Sequence, residues 1–317
     1  MKVIVTGGAG FLGSHLVDKL IGRGDAVLAI DNLLTGDLKN LEHLKNNPNF
    51  SFINQDVSKF FEIDFAADEV FHLASPASPN LHNPKSYHGL PFETMMVNSM
   101  GTWLMVQIAL QRGAKFLFAS TSEVYGDPLE HPQKESYRGN VSTTGPRSVY
   151  DESKRFGETI ISAFVKSKEL DGRIVRIFNT YGPRMALDDG RLVIEFIQAA
   201  LKNKSFPVFG DGKQTRSFCF VSDLIEGIIL AMEKGEKGEV YNLGNPDECT
   251  VLEFAQKVKD LTNATSEPEF VEKLPEDDPL QRCPDISKAK EKLGWEPKVN
   301  LEEGLKRLIA QLVPLAQ

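Results

Sequence analysis

The run VTGGAGFLGSHL, residues 5–16, constrains this chain more than any other. It follows an apolar stretch, KVIVT, and opens a helical pattern over residues 11–23. Gly8, Gly10 and Gly13 fit G-x-G-x-x-G, while Gly7, Gly10 and Gly13 fit G-x-x-G-x-x-G. Between strand and helix, such glycines allow a tight turn, close backbone approach to a pyrophosphate and close helix–strand packing. The helix N-terminus then offers N–H groups and partial positive charge to an anion. A glycine-rich turn without a ligand would read the same locally, so the next strand matters. It is AVLAID, ending in Asp31 about 20 residues further on, where a ribose-binding acid is expected. Asp31 would accept bonds from ribose hydroxyls and repel a 2′-phosphate, which favours NAD over NADP.

The pattern continues. KVIVT, AVLAID, FSFIN, EVFHLA, KFLFAS and RIVRIFN read as six strands, mostly continuous apolar runs of the kind buried on both faces of a parallel sheet. Helical patterns over 11–23, 94–112 and 148–168 lie between them. The expected fold is α/β, a doubly wound parallel (Rossmann) sheet with a smaller C-terminal substrate-binding lobe. Prolines and glycines become denser after about Tyr181. The division expected is 1–181 for the dinucleotide and 182–317 mainly for the substrate, with one strand near 238–244 returning to the main sheet.

Composition narrows the function. A net charge of −8 argues against general binding to nucleic acid or anionic membrane. Three scattered cysteines without a CxxC suggest neither a disulfide framework nor a metal site, and fit a reducing cytoplasm. MKVIVTGGAG does not read as a signal peptide, and no apolar stretch approaches the ~20 residues needed to span a bilayer.

Two further stretches carry chemistry. In SVYDESKRFGE, Tyr150 and Lys154 stand at i and i+4, on one helix face. A tyrosine is a poor base at neutral pH, and a nearby ammonium favours its phenolate. The pair could take a proton from an alcohol as hydride leaves its carbon. In LFASTSEVYGDP, a buried strand ends in Thr121, Ser122 and Glu123. Strands commonly end in polar residues, but ligands of open α/β sheets bind at such ends.

Gly7-x-x-Gly10-x-x-Gly13, Tyr150-x-x-x-Lys154 and the Ser120–Ser122 cluster together resemble the extended short-chain dehydrogenase/reductase family over nearly the whole chain. The resemblance implies NAD bound by Gly7, Gly10, Phe11, Leu12, Gly13, Asp31, Asn32, Asp56, Val57, Leu73, Ala74 and Ser75, with Tyr150 and Lys154. It implies Tyr150 as base, Lys154 as its electrostatic partner, and Thr121, Ser122 and Glu123 at the sugar. Asn179, Arg191, Arg216 and Arg282 would hold a nucleotide sugar, with no metal. Members pair through two helices per subunit, here near 95–112 and 149–168, so a homodimer is expected with Met95, Met96, Met100, Trp103 and Met105 at its contact.

Within the family, HLASPASP, ASTSEVYGDP, HPQKE, YDESKR, RIFNTYGPRM, DDGRLV and GDGKQTRSF resemble the UDP-glucuronate decarboxylases. The related 4,6-dehydratases carry Asp-Glu where this chain has Ser122-Glu123, and serine is a poor acid for expelling a hydroxyl. A 4-keto uronate needs no such acid, because it loses carbon dioxide as a β-keto acid. The implied reaction is redox-neutral, UDP-glucuronate to UDP-xylose. A 4-epimerase, a 4,6-dehydratase, a decarboxylase of a related uronate and a non-catalytic NAD-binding relative stand as alternatives. Two segments depart from the decarboxylase pattern, 88–95 and YRGNVSTTG at 137–145. Both are expected near the sugar pocket.

Overall fold

The computed structural model describes residues 1–271, 273 and 279–316. Its main sheet contains β1 (Lys2–Thr6), β2 (Ala26–Asp31), β3 (Phe50–Asn54), β4 (Glu69–His72), β5 (Lys115–Thr121) and β6 (Gly172–Ile177). A seventh strand, Val240–Leu243, lies outside β6. The spatial order is Val240–Leu243, β6, β5, β4, β1, β2, β3, with every neighbouring pair parallel. Strands β1 to β3 build outward on one side and β4 to β6 on the other. The reversal falls between β1 and β4, where a crevice opens beyond the carboxyl ends of the strands.

Side chains alternate between the two faces of this sheet. Val3, Val5, Val27 and Ala29 pack with Leu16, Val17 and Leu20 of α1 (Phe11–Gly22). Ile4, Leu28, Ile30, Phe116 and Phe118 pack on the other face. There they meet Val106 of α3 (Thr102–Arg112) and Ile161 and Phe164 of α4 (Ser148–Lys168). Burial on both faces explains why the strands read as unbroken apolar runs.

The helix expected over 94–112 starts earlier and is not uniform. It begins as α2 (Pro91–Met96), with proline in the first turn, where its missing N–H costs nothing. It then widens through a π turn, Val97–Gly101, before α3. Inside that turn the Asn98 carbonyl accepts from the Thr102 hydroxyl at 2.8 Å, and the Asn98 amide donates to Ser153 Oγ of α4 at 3.0 Å. A Cβ at Gly157 would sit 2.5 Å from the Phe118 ring, so only glycine lets α4 approach β5 this closely. Met105, expected at a subunit contact, is fully buried in the core beneath α3 instead.

Beyond the main sheet, Thr215–Ser217 pairs with Glu248–Thr250 on one side and Gln281–Arg282 on the other. This register puts Arg216 beside Arg282. Phe196, Phe206, Phe218 and Phe254 of this region belong to the same apolar cluster as the α1 face of the sheet. That shared core holds the C-terminal elements over the strand ends.

Candidate active site

The glycine loop is tied down by backbone alone. Gly7, at φ +70°, donates to the Ile30 carbonyl at 2.8 Å, and Gly10 donates back to Gly7 at 3.1 Å. A Cβ on Gly13 would stand 2.0 Å from the Gly7 carbonyl oxygen. The first turn of α1 is thus pressed onto the loop, and no side chain caps it. These features fit a bound diphosphate. Asp31 accepts from Ala9 N at 3.0 Å and Leu33 N at 2.8 Å, one amide on each oxygen. Burial raises its pKa and the two amides pull it back. Asp56 is fixed by the amide and hydroxyl of Ser58, at 3.0 and 2.7 Å. Leu73 N and Ala74 N donate to the carbonyl and hydroxyl of Thr6, at 3.2 and 3.3 Å.

One cavity of about 1750 Å³ runs from this loop along the strand ends to the C-terminal sheet. Gly7, Gly10, Phe11, Leu12, Gly13, Asp31, Asn32, Asp56, Val57, Leu73, Ala74 and Ser75 line one end. Thr121, Ser122, Glu123, Tyr150, Lys154, Asn179, Arg191, Arg216 and Arg282 line the rest. Residues distant in sequence thus share one wall system large enough for two nucleotide-sized ligands.

At the mouth of β5, the Thr121 hydroxyl accepts from Glu123 N at 3.2 Å and starts a short turn, Ser122–Tyr125. Both carboxylate oxygens of Glu123 accept from Arg282, with Nη2 at 2.8 Å from Oε2. Arg147 Nη2 donates to the same Oε2 at 2.6 Å. Burial works to raise the Glu123 pKa, but Arg147 and then Arg282 overcome it and hold it at about 2. Sequence reasoning missed Arg147. Its signal was present, three residues before Tyr150 and so on the same helical face.

Tyr150 lies 7% exposed, its ring stacked on Tyr87 at 4.9 Å and 13°. Lys154 Nζ donates to the Ala119 carbonyl at 2.8 Å and lies 5.8 Å from the Tyr150 ring centre. The electrostatics differ from the simple pairing expected. Burial, then Glu123, push Tyr150 up to about 12, against Arg191 and the Thr121 hydroxyl. Burial pushes Lys154 down to about 7, opposed by Glu158. Desolvation disfavours whichever form is charged, and it dominates both residues.

Arg191 donates to the Ala77 carbonyl at 2.6 Å and pairs with Asp189 at 3.2 Å. Arg216 Nη1 donates to the Thr215 carbonyl at 2.8 Å. Of the two departing segments, 88–95 lines the cavity through His88, Phe92 and Glu93, whereas no residue of 137–145 does. That second segment folds along the outside of the β5 turn. Asn140 N donates to Tyr125 O at 2.9 Å, Asp127 N donates to Asn140 O at 3.1 Å, and Arg155 grips the Arg138 carbonyl at 2.8 Å. Tyr87, also missed, is buried, and its hydroxyl makes no hydrogen bond among the described residues.

Residues 4–308 match the model of the GDP-mannose 4,6-dehydratase family. UDP-glucuronic acid decarboxylase 1 of Arabidopsis thaliana is 53% identical over 310 residues, covering 98% of this chain and 69% of the relative. The Danio rerio decarboxylase of that name is 48% identical over 310 residues, 97% of this chain and 72% of the relative. Among solved structures, UDP-glucose 4-epimerase of Thermotoga maritima superposes with a TM-score of 0.88 at 32% identity, covering both chains fully. UDP-glucuronic acid 4-epimerase of Bacillus cereus, in complex with UDP-glucuronic acid and NAD, gives 0.86 at 29% identity over 99% of this chain and 100% of that one.

Because Glu123 is held near 2 when folded and has an ordinary value of 4.5, its contribution to stability is present above about 4.5 and lost as pH falls toward 2. Urea unfolding of the wild type and Glu123→Gln should show the wild type more stable by roughly 2–3 kcal/mol near neutrality, with the gap shrinking toward about pH 3.5. A gap independent of pH would contradict the ion-pair geometry.

Proposed function

The chain belongs to the GDP-mannose 4,6-dehydratase family, and we propose that it is a redox-neutral UDP-glucuronate decarboxylase that forms UDP-xylose through a 4-keto sugar. The observation that carries this reading is the convergence of Arg147 and Arg282 at the mouth of β5, beside Tyr150. Guanidiniums arranged to grip one carboxylate are suited to meet another, that of a uronate. The decarboxylases at about half identity support it, and so does Ser122 in place of an acid.

The enzyme uses NAD, which when bound accepts a hydride from the sugar and gives it back. Gly7, Gly10 and the start of α1 would cradle its diphosphate, and Asp31 would accept from its ribose hydroxyls. Tyr150 removes the proton from the 4-hydroxyl, with Thr121 orienting that oxygen and Lys154 stabilising the phenolate. The bond from carbon 5 to the carboxylate then breaks, and its electron pair passes into the enolate of the 4-ketone. Carbon 5 takes up a proton from water, and Tyr150 returns its proton to the 4-oxygen. Held at about 2, Glu123 carries no proton at neutral pH, so it orients Arg282 or a water at carbon 5 and is not itself the donor. Asn179, Arg191 and Arg216 hold the nucleotide sugar.

We assign residues 1–181 to the cofactor and 182–317 mainly to the UDP-sugar, with Val240–Leu243 completing the main sheet. The working form is a cytoplasmic homodimer. Met95, Met96, Met100, Trp103 and Phe156, exposed on neighbouring helices, support the pairing, and the three scattered cysteines support the compartment. No helix among the described residues is long and apolar enough to cross a membrane.

Pure protein given UDP-glucuronate should release carbon dioxide and form UDP-xylose, with no oxidant consumed. Tyr150→Phe should keep NAD binding and lose turnover by roughly 10²–10⁴-fold. A C4-epimerised uronate without carbon dioxide would make the protein an epimerase, and normal turnover in the variant would mean another base. In equilibrium binding, NAD should be preferred to NADP, and Asp31→Ala should weaken NAD roughly 10–100-fold while narrowing that preference. Equal affinity for both in the wild type would remove the role of Asp31.

A further inference from the structure

Glu158 has no part in the mechanism above, yet it sits at a junction. It follows Tyr150 and Lys154 on α4 at the same spacing, so the three share a face turned to the sheet. Its Oε1 accepts from Ser120 Oγ at 2.6 Å and from Arg176 Nε at 2.9 Å, and its Oε2 accepts from Arg176 Nη2 at 2.7 Å. Both side chains of this ion pair are only 13% exposed. Ser120 immediately precedes Thr121. Successive residues of β5 are therefore pinned to successive turns of α4, Ala119 by Lys154 and Ser120 by Glu158. Arg176 extends the junction to the Tyr125 hydroxyl at 2.9 Å and the Glu135 carbonyl at 3.1 Å. The Tyr125 hydroxyl in turn donates to Asn242 of Val240–Leu243 at 2.7 Å.

We propose that Glu158 is a positioning residue that sets the register of α4 on the mouth of β5 and presents the carboxylate that favours the ammonium form of Lys154. The inference rests on the Tyr150–Lys154 chemistry above. The groups facing Lys154 can be named element by element. From β4 comes His72, which burial, then Lys154, hold neutral, at about 3. From β5 come the Ala119 carbonyl and the Phe118 ring, 5.0 Å away. From α4 come Tyr150 and Glu158, the latter bound by Arg176 of β6. Glu158 is the carboxylate in this set, and it is what opposes the effect of burial on Lys154.

The test reads Lys154 directly. In protein carrying ¹³C-labelled lysine, the Lys154 side-chain resonance, assigned by its loss in Lys154→Arg, is titrated in the wild type, Glu158→Gln and Glu158→Asp. Glu158→Gln keeps an acceptor for Ser120 but removes the charge, and should lower the midpoint by about one pH unit. Glu158→Asp should leave it near the wild-type value. In kcat/KM profiles with UDP-glucuronate, the alkaline limb of Glu158→Gln should move the same way, kcat falling about tenfold and KM changing less than about twofold. Should Glu158→Gln not fold, the double variant Glu158→Met/Arg176→Met removes the buried pair together, and it too should titrate below the wild type. A Lys154 midpoint unmoved in these variants overturns the proposal. A shifted midpoint in a protein that releases no carbon dioxide sustains it and counts against the proposed reaction instead.

Discussion

The seating of α4 on the end of β5 is the contact on which the rest of the site depends. Lys154 cannot reach the Ala119 carbonyl unless the helix comes close, and Gly157, beneath the Phe118 ring, is what lets it. The same approach brings Tyr150 into line with Thr121 and carries Arg147, just ahead of the helix, to Glu123. The neighbouring helix is tied to α4 at its π turn, where the Asn98 side-chain amide donates to Ser153. Sheet, helix and strand end thus form one unit, and the C-terminal region closes it by delivering Arg282.

Electrostatics give this unit its character. Burial makes charge expensive, so Tyr150 keeps its proton and Lys154 stands close to losing one. A phenolate–ammonium pair is therefore not the resting arrangement of these two groups, and Tyr150 must give up its own proton before it can take one from the 4-hydroxyl. Glu123 shows the opposite outcome under the same burial, because two guanidiniums outweigh desolvation and fix it as a carboxylate. An ionised Glu123 beside a neutral Tyr150 leaves the proton for carbon 5 to come from water, separate from the proton that Tyr150 handles at the 4-oxygen.

Much of this was legible in the sequence, and where it was not the reason is physical. Strands β1, β2, β4 and β5 were readable because burial on both faces leaves an unbroken apolar signature, and the edge strand β3 was readable from its alternation of apolar and polar residues. The glycine loop, Asp31 and the Tyr150–Lys154 pair were readable because each is a local spacing fixed by backbone geometry. The Glu123 clamp was legible only in part: Arg147 stands one helical turn before Tyr150, but the two partners lie 24 and 159 residues from Glu123 and no local spacing pairs them with it. Met105 was misplaced because helical periodicity alone does not say which apolar face meets the sheet. Segment 137–145 leads into the cavity-lining Pro146 and Arg147 but stays outside the cavity itself, because its path follows backbone bonds to Tyr125 and Asp127 that its composition does not encode.

The central claim is that one hydride is taken from carbon 4 of a uronate and returned to that carbon after the carboxylate has left. UDP-glucuronate carrying deuterium at carbon 4, converted in ordinary water, tests it most directly. The account predicts UDP-xylose with the deuterium retained at carbon 4 and one proton, from solvent-exchangeable groups, at carbon 5. Loss of the label from carbon 4, or a labelled product that still carries its carboxylate, would contradict it.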